Sequence, residues 1–460
     1  MNIQKPNSLG AIDRATLVHP YTDLAAHDEK GPHIITKGNG VFMEDEDGRR
    51  YLDALAGLWC MSLGFGEDRL IEAATRQMKE LAYHHSFAHR SHPAVIELAE
   101  RLTAMSPPSI TRAFFVNSGS EAVDAAIQII WYYNNALGRH EKKKIIGRER
   151  GYHGVTIASG SLTALPYKQV DFDLPVNDRF LKVSCPHFYR YGMPGESEAE
   201  FAARLVEEVD QRIMDEGPET VAAFIGEPVM AAGGVIPPPE GYWPGVAQVC
   251  RKHDVLLVCD EVVNGFGRTG NMWGSQTVGV EPDIMTTAKQ LSSAYLPIGA
   301  TLMSEAVYDV IAQNSAKYGT FGVGMTYGGH PVCAAVALET LKIYEEMDIV
   351  DRVRAIAPVF QRRFDALAEH PLVGQVRSIG LIGAVELVAD KESREQFAPE
   401  RGAAKHLFAQ VQEQGVIGRP LPGDAFAVCP PLIISEDEID IMFDGIEKGL
   451  EATLSIMSGA

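Results

Sequence analysis

The sequence predicts an α/β protein, a mainly parallel sheet covered by helices on both faces, with a smaller α+β unit beside it. Three observations carry this. The chain of 460 residues is too long for one small domain and suggests two unequal ones. From about residue 110 the pattern strand, loop, helix repeats, and its strands are continuous apolar runs, as in sheets buried on both faces. After about residue 335 the texture changes to short strands and long helices.

Taken in order, the first forty residues are polar and irregular. GVFMEDEDGRRYLDALAG (residues 40–57) reads as a hairpin with Asp47-Gly48 in the turn. AFFVNSGSEAVDAAIQIIWYYNNA (113–136) is a short apolar strand, a Ser/Gly turn and a helix. KKIIGRERGYHG (143–154) is a strand ending in a glycine-rich loop. SEAEFAARLVEEVDQRIMDE (197–216) spaces Phe201, Leu205, Val209 and Ile213 four apart, one face of a helix. VAAFIGEP (221–228) is a strand, GYWPGVAQVCRKH (241–253) a helix and DVLLVCDEVV (254–263) another strand. VCAAVALETLKIYEEM (332–347) is a long helix. VRSIGLIGAVELV (376–388) and VIGRPLPGDAFAVCPPLIIS (416–435) read as strands of the smaller unit. The N-terminal segment, residues 1–60, is expected to complete that unit. Residues 61–334 then form the large domain and 335–460 the C-terminal small domain.

Composition narrows the function. Hydrophobic residues make up 46% and charged residues 22%, the balance of a soluble globular protein. Forty-one basic against sixty-one acidic residues give a net charge of -20. Such a surface repels phosphate backbones and anionic lipid, which argues against nucleic-acid and membrane partners. An anionic ligand must be held by a local device. The six cysteines contain no CxxC pair, so reduced thiols in a cytoplasm are expected. No signal peptide or membrane-spanning stretch is read.

Ligands of open α/β sheets collect beyond the carboxyl ends of the strands. The residues there form a coherent set: Ser118-Gly119-Ser120, Tyr152-His153, Glu227, Asp260 and Lys289. Lys289 lies in PDIMTTAKQLSSAYLPIGA (282–300), among apolar and small neighbours. A buried lysine loses preference for its charged form, and its amine becomes a nucleophile able to make a Schiff base. Asp260 ends an apolar strand. It is either a plain cap or the partner of a protonated pyridine nitrogen. A lysine nucleophile and such an acid are the two protein groups that pyridoxal phosphate (PLP) needs. Asn117-Ser118-Gly119-Ser120 opens a helix and is either a serine cap or an anion cradle. Tyr152 is either core or a plate that stacks on a flat ring. Gly265-Phe266-Gly267-Arg268-Thr269-Gly270 matches GxGxxG, but no good helix follows it. A loop is the better reading. The remaining histidines show no HExxH or zinc-like spacing, and no metal is expected.

In sequence, NSGSEAVDAA, GYHG, GEP, LLVCDEV, GFGRTG, AKQLSSAYLPIGA and TYGGHPVCAA resemble the class III, fold-type I PLP aminotransferases, most closely the omega-transaminase (amine:pyruvate) branch. The resemblance runs from GVFMEDEDGRRYLD to PPLIIS. It implies a large domain with a mainly parallel seven-stranded sheet and a smaller α+β domain. Lys289 would carry the Schiff base and act as acid/base, Asp260 would pair with the pyridinium, and Val262 would face Tyr152 across the ring. Gly119 and Ser120 would hold the phosphate. Thr326 resembles the threonine that reaches the other subunit's cofactor. This implies at least a homodimer with shared sites, and a tetramer is possible. Trp59, Phe87, Tyr152 and Ala231 resemble the pocket lining. Arg419 resembles a mobile arginine that grips the carboxylate of pyruvate.

Two departures stand out. Gln290 replaces the glycine usual after the lysine. Ala427 stands where the ornithine and GABA branches carry an arginine that pairs with the Glu227 position. The expected activity is ping-pong transfer of an amino group from a bulky or aromatic primary amine to a keto acid. The alternatives are an aminomutase or decarboxylase on the same fold, or a non-catalytic homologue.

Overall fold

A computed structural model of the chain describes residues 7–174 and 179–459. The first six residues of the N-terminal segment lie outside it. The central sheet has seven strands, edge to edge Ile110–Val116, Gly299–Ser304, Ile284–Thr287, Leu256–Asp260, Val221–Gly226, Lys144–Arg148 and Phe180–Val183. All run parallel except Gly299–Ser304, which is antiparallel to both neighbours. That strand follows Ile284–Thr287 after the loop 288–298, which holds only the Lys289–Ser292 turn and no helix to cross the sheet, whereas a parallel return needs a crossover of about a dozen residues or more, usually a helix. Val221–Gly226 and Leu256–Asp260 are buried at every residue, as their unbroken apolar runs require.

The covering helices follow the sequence periodicity. The helix Gly119–Ala136 buries Val123, Ala126, Ile127 and Ile130 on one face. The helix Glu198–Glu216 buries Phe201, Leu205, Val209 and Ile213, begins with a Ser197/Glu200 capping box and stops at Gly217, φ +86°.

Two four-stranded sheets flank this layer. In one, the hairpin pairs Phe42 with Leu52 around Gly48 (φ +81°), and Val416–Ile417 adds in parallel to Leu52–Asp53. The C-terminal part of the chain is thereby stitched to the N-terminal part. The other sheet joins Val373–Ile379, Ile382–Leu387, Ala425–Val428 and Arg419–Leu421.

Two regions differ from expectation. The first forty residues hold short helices at Leu9–Thr16 and Leu24–Lys30 and a strand at Ile35–Asn39. All five strand residues are exposed, so no buried face marks that strand in sequence. The helix Pro331–Glu346 spans the expected boundary at 335 and packs against Asp68–Glu80, Pro93–Ala104 and the Lys289–Ser292 turn. Its Tyr344 hydroxyl donates to the Gln290 carbonyl at 2.7 Å. No helix among the described residues is long and apolar enough to cross a membrane.

Candidate active site

Because six strands of the central sheet run parallel, the residues that follow them share one edge. A cavity at that edge is lined by Gly119, Ser120, Tyr152, His153, Glu227, Asp260, Val262 and Lys289. On its other side stand Tyr21, Leu58, Trp59, Tyr167, Ala231, Ala232, Val263 and Arg419.

The helix N-terminus forms one corner. A helix leaves its first amides without intrahelical acceptors. Here the Ser118 hydroxyl accepts from Glu121 N–H at 3.2 Å, so Ser118 caps the helix and does not itself line the cavity. The amides of Gly119 and Ser120 remain at the cavity wall. A Cβ on Gly119 would sit 3.0 Å from Val262 Cγ1, and one on Gly154 (φ +132°) would sit 2.7 Å from Ser120 Oγ. Only glycine lets the backbone approach so closely. Ser120 Oγ accepts from Val155 N–H at 3.1 Å, which leaves its proton free to donate.

Asp260 is buried. Its Oδ2 meets His153 Nδ1 at 2.7 Å and its Oδ1 accepts from Val262 N–H at 3.2 Å. His153 is itself buried, and its main-chain N–H donates to Thr163 Oγ1 at 2.9 Å. The carboxylate is thus oriented by an imidazole and a backbone amide while still facing the cavity.

Glu227 works differently. Its two oxygens accept from the backbone amides of Tyr152 (3.0 Å) and Ala231 (2.9 Å). One carboxylate therefore places both the aromatic plate and the small residue opposite it. Burial raises its proton affinity, and the charge of Asp260 adds to that, against the pull of His153 and the two amides.

Lys289 opens a 3-10 turn at φ +48°, and Ser293 and Ala294 in the same loop are also left-handed. That backbone costs an L-residue roughly 1–2 kcal/mol. Tyr21 (φ +53°) and Trp59 (φ +64°) carry the same strain at the same cavity. Burial is the largest influence on the Lys289 amine and lowers its proton affinity. Cys60, Asp260 and Glu227 pull the other way, and Arg419 lowers it further. Gln290 anchors this loop: its amide donates to the Val263 carbonyl at 2.7 Å and accepts from Ser62 Oγ at 2.9 Å. Gln290 fills its site with bonds a glycine could not make.

Tyr152 accepts a hydrogen bond from the Tyr21 hydroxyl at 3.3 Å. Burial first, and that bond second, push its phenol far up, so it stays neutral. Arg419 is half-buried, and its guanidinium has no ion pair among the described residues. Trp59 and Ala231 are buried in the wall. Tyr21 and Tyr167 were absent from the sequence expectation. They contact each other edge to face at 5.8 Å and 83°. Tyr21 belongs to the stretch read as irregular, and no motif marked either tyrosine.

Phe87 and Thr326 do not reach this cavity. Phe87 is exposed and packs on Gly324, and Tyr83 donates to the Thr326 carbonyl at 2.8 Å. Both sit on one exposed surface. The GFGRTG segment is a loop, as expected. Its buried Arg268 donates to the carbonyls of Leu381 (2.9 Å) and Pro430 (2.6 Å), clamping the C-terminal sheet to the central layer.

The family model for class-III aminotransferases matches residues 24–450. The omega transaminase from Pseudomonas jessenii in complex with PMP is 48% identical with a TM-score of 0.96, covering 98% of this chain and 99% of that one. A thermostable omega transaminase variant engineered for asymmetric synthesis of enantiopure bulky amines superposes with TM-score 0.96 at 48% identity, over 98% of this chain and 100% of that one. Gamma aminobutyrate transaminase 3, chloroplastic, from Solanum lycopersicum is 46% identical over 438 residues, 95% of this chain and 84% of the relative.

Proposed function

The chain belongs to the class-III aminotransferases, which use PLP, and we propose that it moves the amino group of a bulky or aromatic primary amine to a small keto acid such as pyruvate. The observation that carries this reading is Arg419. It is the one guanidinium lining a cavity otherwise walled on that side by aromatic and aliphatic groups.

The residues fit the cofactor. Two free amides and a serine hydroxyl at a helix N-terminus suit its phosphate, and Gly119 and Gly154 let Val262 and Ser120 pack close against the backbone there. Asp260 suits its ring nitrogen, Tyr152 and Val262 its two faces, and Lys289 Nζ would hold its reactive carbon. When bound, the cofactor supplies an electron sink for the substrate carbon. Lys289 Nζ, whose proton affinity is lowered by burial, would move the proton of the amine-bearing carbon. Positioned proton transfer of this kind is worth roughly 10²–10⁴-fold. His153 holds Asp260 in place, and Glu227 holds Tyr152 and Ala231 across the cavity.

The related proteins differ in their named substrates, and the charges in this cavity favour the amine:pyruvate reading. Ala427 is fully buried in the strand Ala425–Val428, so no guanidinium stands there to pair with Glu227. The Glu227 carboxylate is satisfied by backbone amides instead. Arg419 is left to bind a carboxylate by two parallel hydrogen bonds. The aromatic wall of Tyr21, Trp59, Tyr152 and Tyr167 suits an apolar amine. We further propose a homodimer, with a tetramer possible, in which the exposed Phe87 and Thr326 of each chain serve the other's site. The acidic surface and the six unpaired cysteines support a cytoplasmic location.

The test is a screen of amine donors against acceptors. Pyruvate with 1-phenylethylamine should turn over faster than pyruvate with 4-aminobutyrate. Arg419→Ala should raise KM for pyruvate about 10–100-fold, the worth of hydrogen bonds to a charged group, with little change in KM for 1-phenylethylamine. Faster turnover of 4-aminobutyrate, or an unchanged pyruvate KM in the variant, overturns the reading.

A further inference from the structure

Sequence spacing suggested no metal, yet the N-terminal segment folds three metal-type donors onto one point. His19 Nε2 lies 2.9 Å and 3.0 Å from the two oxygens of Asp13, and His27 Nε2 lies 2.9 Å from Asp13 Oδ1. The three donor atoms all fall within 4.8 Å of one another. The two imidazoles are gathered side by side, with ring centroids 4.0 Å apart at 36°.

We propose that Asp13, His19 and His27 form a binding site for a divalent transition-metal ion of the zinc type, which pins the segment carrying Tyr21 across the cavity. The spacing fits. Donors bound at about 2.0–2.1 Å to a common ion lie roughly 2.9–3.4 Å apart, close to the nitrogen–oxygen separations here. The donor set fits too. Two imidazoles and a carboxylate suit zinc, copper or nickel, whereas calcium and magnesium call for oxygen donors. Side-chain exposures of 26% for His19, 16% for Asp13 and 9% for His27 leave an opening for water to complete the coordination.

The site has a structural purpose. Asp13 lies on a helix of 8 residues and His27 on one of 7. Helices below about 12–15 residues are marginal unless tied down. His19 sits on the linker between them, two residues before Tyr21, whose hydroxyl donates to Tyr152 at 3.3 Å. One ion bridging helix, linker and helix would fix the loop that presents Tyr21.

Calorimetric titration of chelator-treated holoenzyme with zinc chloride should show one ion bound per chain, with a rise in Tm on binding. Cobalt(II) in its place should give visible d–d bands. His19→Gln and His27→Gln keep an amide donor toward Asp13 but lose the imidazole ligand. Each should weaken zinc binding by more than the roughly 10–100-fold that loss of an outer partner costs, and abolish the cobalt bands. Asp13→Asn, which can still accept both hydrogen bonds, serves should a glutamine unsettle the segment. Absence of binding by the wild type, or equal binding by wild type and variants, means that the cluster is a hydrogen-bonded staple alone and overturns the proposal.

Discussion

The two walls of the cavity are built on different principles. On the cofactor side, His153, Glu227 and Asp260 are 3%, 4% and 3% exposed, and each is held by named hydrogen bonds. On the opposite side, Tyr21, Leu58 and Tyr167 are 54%, 53% and 46% exposed, although Trp59 and Ala231 beside them are 2% and 1% exposed. The first wall comes from consecutive strand ends of one sheet. The second takes Ala231, Ala232 and Val263 from loops after strands of that same sheet and adds residues 21, 58–59, 167 and 419 from elsewhere in the chain, residues 58–59 and 419 lying close after Leu52–Asp53 and Val416–Ile417, which pair in parallel. We propose that the first wall holds the cofactor chemistry and that the second, partly exposed, selects the substrate.

The sharpest way to break that division is Lys289→Ala. Loss of the proton carrier should lower kcat by at least the roughly 10²–10⁴-fold of positioned proton transfer, with single-turnover rates falling in parallel. Near wild-type turnover would place the chemistry elsewhere. Substrate-wall changes should not approach this effect.

The same contrast explains what could be read from the sequence. Gly119, Ser120, Asp260 and Lys289 were legible because each follows an apolar strand, and strand order alone carries such residues to one edge. Ser118 was legible as a member of that turn, but the choice between cap and ligand needed the 3.2 Å bond to Glu121. Tyr21 and Tyr167 were illegible. Their place depends on long-range packing, and left-handed φ at Tyr21 leaves no mark in a residue that is not glycine or asparagine. The amide bonds that occupy Glu227 were hidden for the same reason. So was the metal-type cluster, whose three donors are spread over two helices and a linker. GFGRTG matches a ligand motif, but the lack of a following helix marked it as a loop, and what the sequence left hidden is that this loop carries Arg268 into the interface.

Asp53 sharpens the comparison through pH. It anchors the substrate wall: its carboxylate accepts from Leu55 N–H at 3.1 Å and Gly57 N–H at 2.6 Å, just before Leu58 and Trp59. Burial outweighs those bonds and raises its pKa from 3.8 to about 6. A folded-state pKa above the unfolded one gives stability that is full below 3.8 and is lost as pH rises through about 6. Each pKa unit is about 1.4 kcal/mol, so the swing is on the order of 3 kcal/mol at most. The stability of wild type relative to Asp53→Asn should therefore rise as pH falls from about 7 to about 4, as followed by denaturant midpoints. A pH-independent difference would mean that the carboxyl does not titrate in the folded protein over this range.

Tyr21→Phe should give the smallest effect. The variant loses only the 3.3 Å bond to Tyr152, and it keeps the edge contact with Tyr167. A neutral hydrogen bond is worth about 0.5–1.5 kcal/mol net, and partial exposure of Tyr21 keeps this one near the lower figure. The expected change is a rise of a few-fold in KM for the amine, with kcat nearly unchanged. Tyr21→Ala removes the ring as well, and an aromatic pair adds about 0.5–1.5 kcal/mol beyond burial. Its KM should rise further, while kcat stays far above that of Lys289→Ala. Should Tyr21→Ala instead depress kcat to a comparable degree with KM unmoved, Tyr21 would act on the reacting atoms through Tyr152, and the two walls would have to be treated as one catalytic unit.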